Sequence, residues 1–417
     1  MNTFTLVFLV ALAAGTLLKW WLAGRQLKCV SEHRDRVPEA FRDSIPLATH
    51  QHAADYTTTR TRMGMLETGV AALLLLAWTL GGGVDWLNGA WAASGLSPLL
   101  AGTGLLLSAF LIMGGLEMPF EVYRTFVIEE RFGFNRTTPR LFIADAVKQT
   151  VLLIALGTPI VLLVLWLMAY AGPRWWLTVW IVWMAFSLLL AWAYPAVIAP
   201  WFNKFVPLDD GALKTRIESL LERNGFRSQG IFVVDGSKRS GHGNAYFTGL
   251  GNNKRIVFFD TLLRQLDPEE IEAVLAHEVG HFKRNHIAKR IALMALVSLA
   301  GLALLGWLID APWFYAGLGV TQPSLAAALL LFLLVVPTFT VFLQPLLSAL
   351  SRKHEYEADA FAARQADVGK LVEALVKLYR ENANTLTPDP LYSAFHDSHP
   401  PAPVRIANLR AKQATAG

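Results

Sequence analysis

Seven long apolar stretches limit what this chain can become. They run from Thr3 to Trp21, Met63 to Leu80, Leu99 to Met118, Val151 to Ala171, Trp175 to Ile198, Ile291 to Ile309 and Leu325 to Leu347. A run of roughly 20 apolar residues, wound as a helix, crosses about 30 Å of hydrocarbon. Within a bilayer the backbone must satisfy its own hydrogen bonds, which makes helices the natural reading of such runs. Composition agrees: 54% of the residues are hydrophobic and 17% charged, where an ordinary soluble domain holds about 25% charged. The expected fold is an α-helical polytopic membrane protein with about seven transmembrane helices.

The loops suggest an orientation. Arg25, Lys28, Arg34, Arg36, Arg42, Arg60 and Arg62 fall between the first two stretches, and Arg124, Arg131, Arg136, Arg140 and Lys148 between the third and fourth. Gly81 to Pro98 and Asp310 to Pro323 contain no Lys or Arg, and Gly172–Pro173–Arg174 contains one. Basic loops stay in the cytoplasm, so the N-terminus is expected outside and the C-terminus inside. The first stretch has no basic segment ahead of it, and its Lys19, Arg25 and Lys28 come late; it reads as an uncleaved anchor, not a signal peptide. Tryptophans near span ends, Trp20, Trp86, Trp175 and Trp313 among them, fit an interfacial belt. The net charge of +5 is thus assigned to loops, and no basic, aromatic-interleaved motif points to nucleic acid. The one cysteine, Cys29, excludes an internal disulfide and cysteine ligation of zinc.

Four regions follow. Residues 1–200 form an N-terminal membrane region of five spans with a basic cytoplasmic loop, and residues 201–290 a small cytoplasmic α+β insert. Residues 291–348 hold spans six and seven, and residues 349–417 a cytoplasmic C-terminal segment. Within the insert, Leu213 to Asn224 reads as an amphipathic helix ended by Gly225. Ile231–Asp235, Asn244–Leu250 and Arg255–Asp260 read as strands, with a turn at Gly251–Asn253. Asp267-Pro-Glu-Glu270 supplies an N-cap, a proline at the first helical position and two acids in the first turn. The helix it opens is expected to run through His277 to His286 and on into span six.

That helix carries His277-Glu278-Val279-Gly280-His281. Histidines four apart lie about 40° apart around a helix and roughly 6 Å apart along it, so both imidazoles can face one tetrahedral metal. Glu278 is rotated by about 100° from His277, within reach of a water on that metal without being a ligand. Such a water is acidified towards a pKa of about 7, and a carboxylate beside it can act as general base. Gly280 costs up to ~1 kcal/mol relative to Ala in a helix interior, so a close approach is expected there. The bland alternative is a pair of solvated histidines on a helix surface.

A catalytic zinc needs a third protein ligand. Ser351-Arg-Lys-His-Glu-Tyr-Glu-Ala-Asp359 follows span seven and is helix-compatible. Glu355 and Asp359 share a helix face, so Glu355 can ligate while Asp359 accepts an N–H from a ligand histidine. Spacing alone leaves His354 as a rival, and acids on a helix are often only a wet face. Glu357 points away and reads as solvated. His242, His286 and His396 read as polar loop or helix-surface residues.

Seven spans, His277-Glu-Val-Gly-His281 and Glu355-Tyr-Glu-Ala-Asp359 together resemble the integral-membrane CAAX prenyl protease family of zinc endopeptidases. Phe126-Val-Ile-Glu-Glu-Arg-Phe-Gly-Phe-Asn135 is similar to that family's loop between spans three and four. Arg239-Ser-Gly-His-Gly-Asn-Ala-Tyr-Phe-Thr-Gly249 is similar to its substrate-side strand, and Ser398-His-Pro-Pro-Ala-Pro-Val-Arg405 to its C-terminal motif. The resemblance covers essentially the whole chain. It implies one zinc ion held by His277, His281 and Glu355, with Glu278 as base. It also implies Asn244 and His399 as residues that bind the substrate backbone or the oxyanion, a role suited to N–H donors. Arg405 would pair with an acid near the site, Asp359 for example, or be a surface arginine. The resemblance further implies a water-filled chamber enclosed by the helices, and peptide substrates that include prenylated CAAX tails. Gly241 and Gly243 flank His242 where bulkier residues are expected.

Two other readings stand beside it. A membrane quality-control metalloprotease would share the chemistry without a lipid requirement. A transporter with a structural metal would place charges inside the spans, where Glu67 is the main exception to their near absence.

Overall fold

A computed structural model of the chain describes residues 2–226, 228–248 and 254–416. The first membrane region opens with α1 (Thr3–Glu32) and α2 (Leu47–Trp78), which bends by 45° into α3 (Gly83–Ala92). Next come α4 (Pro98–Tyr123), prolonged by a π-helical segment at Arg124–Glu129, and α5 (Pro139–Tyr170). Then α6 (Trp175–Ala193) continues through a second π-helical segment, Tyr194–Ile198, into the short α7 (Ala199–Phe202).

The insert contains β1 (Phe205–Pro207), α8 (Ala212–Arg223), β2 (Ser228–Val234), β3 (Ala245–Thr248), β4 (Lys254–Phe259), α9 (Asp260–Gln265) and α10 (Pro268–Lys283). The chain re-enters the bundle with α11 (His286–Leu308), α12 (Pro312–Gly317) and α13 (Leu325–Thr340). One 3-10 turn joins α13 to α14 (Gln344–Gln365), and α15 (Val368–Glu381), α16 (Pro390–His396) and α17 (Ala402–Ala416) close the structure. Among the described residues, six helical segments are long and apolar enough to span a membrane. The bent α2–α3 pair makes a seventh if counted as one span.

The spans outrun their apolar stretches. Helix α1 continues from Trp21 to Glu32, and α2 begins sixteen residues before Met63, so Arg25, Lys28, Arg60 and Arg62 are helical and not in a loop. Hydropathy marks only the lipid-facing length of a helix; packing against other helices carries it further. Leu73, Leu189 and Leu296 remain largely exposed on the bundle, as side chains facing hydrocarbon would be.

The strand order is β1-β2-β4-β3, with β2 and β4 parallel and the outer pairs antiparallel. β1 was not legible, being three residues long and ending in proline. The turn expected at Gly251–Asn253, and the end of its preceding strand, lie outside the described residues. Gly225, at φ 64°, ends α8 as its position suggested.

The described residues form two large apolar cores and a small third cluster around Tyr56, Ile128 and Phe132. One, with Phe8, Leu105, Leu165, Phe314 and Leu330, lies in the bundle. The other gathers Ile217 from α8, Phe258 from β4, Leu275 and Val279 from α10, Ala362 from α14, Leu371 from α15 and Leu409 from α17. This second core binds the helix of the histidine motif to the helix of Glu355. The crossing is close at Gly280: a Cβ there would lie 3.0 Å from both the Cα and the carbonyl oxygen of Ala358. The close approach inferred from a glycine in mid-helix is therefore present.

The continuous helix expected through His286 is not. α10 ends at Lys283, Asn285 adopts the left-handed conformation at φ 55°, and α11 starts afresh at His286. Asn is among the few non-glycine residues that take this conformation readily, and a propensity reading has no means of locating such a break.

Candidate metal centre

Helix α10 is anchored at its start. The Glu270 carboxylate accepts the N–H of Asp267 at 2.8 Å, and Lys377 from α15 bridges both acids. About two and three turns further on, His277 and His281 face α14, where Glu355 and Asp359 occupy one side of the helix.

The geometry is tight. The Nε2 atoms of His277 and His281 lie 3.1 Å apart, and each is 3.3 Å from a Glu355 oxygen. One nitrogen from each histidine and one Glu355 oxygen all lie within 4.8 Å of one another. His277 and Glu355 are buried. Asp359, also buried, has Oδ1 2.8 Å from Nδ1 of His277, and Arg405 Nη2 lies 2.9 Å from the same nitrogen; in the tautomer with the proton on Nδ1, the carboxylate accepts it. Arg405 in α17 then grips Asp359 with two donors, Nε to Oδ2 at 2.7 Å and Nη2 to Oδ1 at 2.6 Å. Burial works against the charge of Arg405, but Asp359 outweighs it, and the guanidinium pKa is raised.

These residues fit a divalent cation. With the His277 proton on Nδ1, its Nε2 presents a lone pair towards that of His281. Glu355 Oε2 is buried and lacks a hydrogen bond among the described residues; leaving such an acceptor unsatisfied costs about 1–3 kcal/mol. A cation shared by His277, His281 and Glu355 would satisfy all three, and two imidazoles with one carboxylate suit zinc.

The other expected residues divide. Arg405 is 7% exposed, which excludes the surface-arginine alternative. His399 lies with Nε2 3.4 Å from Glu355. Glu278 is half-buried beside His277 and makes no hydrogen bond or ion pair with a described residue. Asn244 lies exposed at the start of β3, where its Oδ1 accepts the N–H of Ala245 at 2.8 Å, leaving its amide N–H free to donate. His354, the rival ligand, stacks on His286 instead, ring centroids 4.0 Å apart. His286, expected on a loop or helix surface, is 4% exposed, and its Nε2 lies 2.9 Å from Glu357, whose side chain is 30% exposed. His242 is also engaged, stacked on Phe134 and near Glu129.

Beside the site is a cavity of about 910 Å³ lined by α1, α2, the Arg124–Glu129 segment and the loops around α15 and α16. His399 lines it and, through Glu355, adjoins the metal centre; His277, His281 and Glu355 do not line it. Glu67, the exceptional acid in a span, faces this cavity and is paired with Arg124 at 2.5 Å, which accounts for its charge without an ion pathway.

Fold and site define a membrane-embedded metallopeptidase. Residues 26–204 match the model described as CAAX prenyl protease N-terminal, five membrane helices, and residues 207–413 match Peptidase family M48. CAAX prenyl protease 1 homolog of Arabidopsis thaliana is 42% identical over 70% of this chain and 69% of its own length. The Mus musculus homolog is 32% identical over 97% and 95%. The crystal structure of S. mikatae Ste24p superposes with a TM-score of 0.92 at 31% identity, covering 98% of this chain and 99% of that one. The chain belongs to the CAAX prenyl protease family of M48 metallopeptidases. It is a hydrolase of peptide bonds in a multi-pass membrane protein, and the transporter reading falls away.

Proposed function

We propose that this chain is a zinc endopeptidase that trims the C-terminal tails of membrane-associated, prenylated proteins, with His277, His281 and Glu355 as the zinc ligands. One observation carries the metal assignment: donor atoms of two imidazoles and one carboxylate, from helices about 75 residues apart in sequence, converge within 4.8 Å. The substrate assignment is supported by the relatives, which are CAAX prenyl protease 1 homologs.

Bound zinc would supply Lewis acidity and lower the pKa of a water towards about 7. Glu278, half-buried and without a hydrogen-bond or ion-pair partner among the described residues, takes a proton from the attacking water and delivers it to the leaving amine. His399 and the free amide N–H of Asn244 donate to the carbonyl oxygen as charge develops on it. β3 is one of the two outer strands of the sheet and pairs only with β4 among the described strands, so an extended peptide can pair along its other edge and present its scissile bond. Asp359, held by Arg405, keeps His277 in the tautomer that leaves Nε2 for the metal. The same reading puts the insert and C-terminus on the cytoplasmic side and the N-terminus outside, on the alternation of basic loops.

Two measurements test it. Glu278→Gln should keep bound zinc and lose about 10²–10⁴-fold in turnover; undiminished cleavage would remove Glu278 from the mechanism. Purified enzyme should cut a prenylated peptide faster than its unprenylated twin, and equal rates would favour a quality-control protease with no lipid requirement.

A further inference from the structure

The two histidines of the metal centre are supported differently. His277 Nδ1 faces an acid directly, Asp359 Oδ1 at 2.8 Å, with Arg405 Nη2 at 2.9 Å beside it. His281 has no such acid: its Nδ1 lies 3.0 Å from Nδ1 of His286, whose Nε2 lies 2.9 Å from Glu357 Oε2. On a continuous helix, residues five apart would sit about 140° apart in azimuth and could not meet. The left-handed turn at Asn285 brings them together.

With His281 as a metal ligand, proton accounting has one consistent solution. Two facing Nδ1 atoms share a single proton. If His281 offers Nε2 to the metal, its proton sits on Nδ1 and His286 accepts it. His286 must then carry its own proton on Nε2 and donate it to Glu357. Each ring uses both nitrogens with one proton apiece. The alternative assignment would aim the Nε2–H of His281 at the Nε2 of His277, 3.1 Å away. His354 stacks on His286 with ring planes within 14° of parallel, holding the plane in which the hydrogen bonds run.

We propose that His286 and Glu357 are positioning residues that fix the tautomer and orientation of His281 through an imidazole relay, as Asp359 does for His277. This rests on His281 being a metal ligand, as read above. Outer groups of this kind typically hold 10–100-fold of metal affinity.

The test is zinc affinity of the full-length, detergent-purified apo-protein, read by competition with a chromophoric chelator, together with the visible spectrum of the Co(II)-loaded form. His286→Leu removes the acceptor while keeping apolar volume, and should weaken zinc binding about 10–100-fold and alter the Co(II) spectrum. His286→Asn places a carbonyl oxygen where Nδ1 lies and should restore most of that loss. Glu357→Gln, at a side chain 30% exposed, should fold normally and weaken binding less than His286→Leu. Zinc affinity of His286→Leu within twofold of the parent would overturn the relay, as would an Asn variant as weak as the Leu variant. The parent reading fails separately: zinc retained in full by His281→Ala removes the metal centre, whereas zinc lost there but kept in His286→Leu removes only the relay.

Discussion

At His277 the two ring nitrogens have different duties. Nε2 faces Glu355 at 3.3 Å, and Nδ1 is committed to Asp359. Asp359 and Arg405 form a buried ion pair with two hydrogen bonds. Removing one partner strands the other charge, a loss of about 3–5 kcal/mol in comparable pairs. Arg405→Leu should therefore lower the melting temperature of the purified protein, and adding Asp359→Asn should recover part of the loss. An Arg405→Leu variant as stable as the parent would mean that Asp359 finds another partner. Asp359 was legible because residues four apart share a helix face. Arg405 lies 46 residues beyond its partner, and only the resemblance pointed to it. His286 and Glu357 gave no local signal at all, because their meeting with His281 depends on a break in the helix.

The crossing of α10 and α14 decides whether the centre forms. Gly280 lets the two backbones approach, and any side chain there meets Ala358 and Phe361. Overpacking of this kind costs about 1–3 kcal/mol, and here it would also move Glu355 away from the histidines. Gly280→Val should lose both thermal stability and bound zinc, whereas a surface variant of equal propensity on α8 should lose neither; zinc content by elemental analysis decides. The break between α10 and α11 is an element-scale device too. Asn285→Gly should be tolerated and Asn285→Val should cost roughly 1–2 kcal/mol, since a Cβ-bearing, branched residue is strained in the left-handed region. Equal stability of the two variants in chemical denaturation would show that the turn imposes no such demand.

Across the whole molecule, membrane bundle and catalytic lobe meet at the rod formed by α13 and α14, whose apolar half lies in the bundle core and whose polar half carries Glu355. Metal occupancy should therefore stabilise the assembly. Stripping the ion with a chelator should lower the melting temperature of the parent, by the linkage between ligand binding and folding, and leave Glu355→Ala unchanged. Orientation can be read from single cysteines in a Cys29→Ser background. A membrane-impermeant thiol reagent should label Ser94→Cys on intact cells, and label Asp210→Cys only after permeabilisation; the reverse pattern would invert the topology.

The linear chain determined its membrane class, the approximate location of its spans and three of the four residues proposed for the chemical centre, because hydrocarbon thickness and helical pitch impose periods that a sequence must display. Spacing alone named Glu355 only as one candidate among the acids and histidines of its segment, and the resemblance singled it out. Tertiary structure decided the rest: where spans outrun their apolar runs, which histidine turns back on its neighbour, and how an arginine from the last helix reaches His277 and Asp359. Contacts between distant segments follow from packing and from one left-handed residue, and neither leaves a periodic trace in sequence.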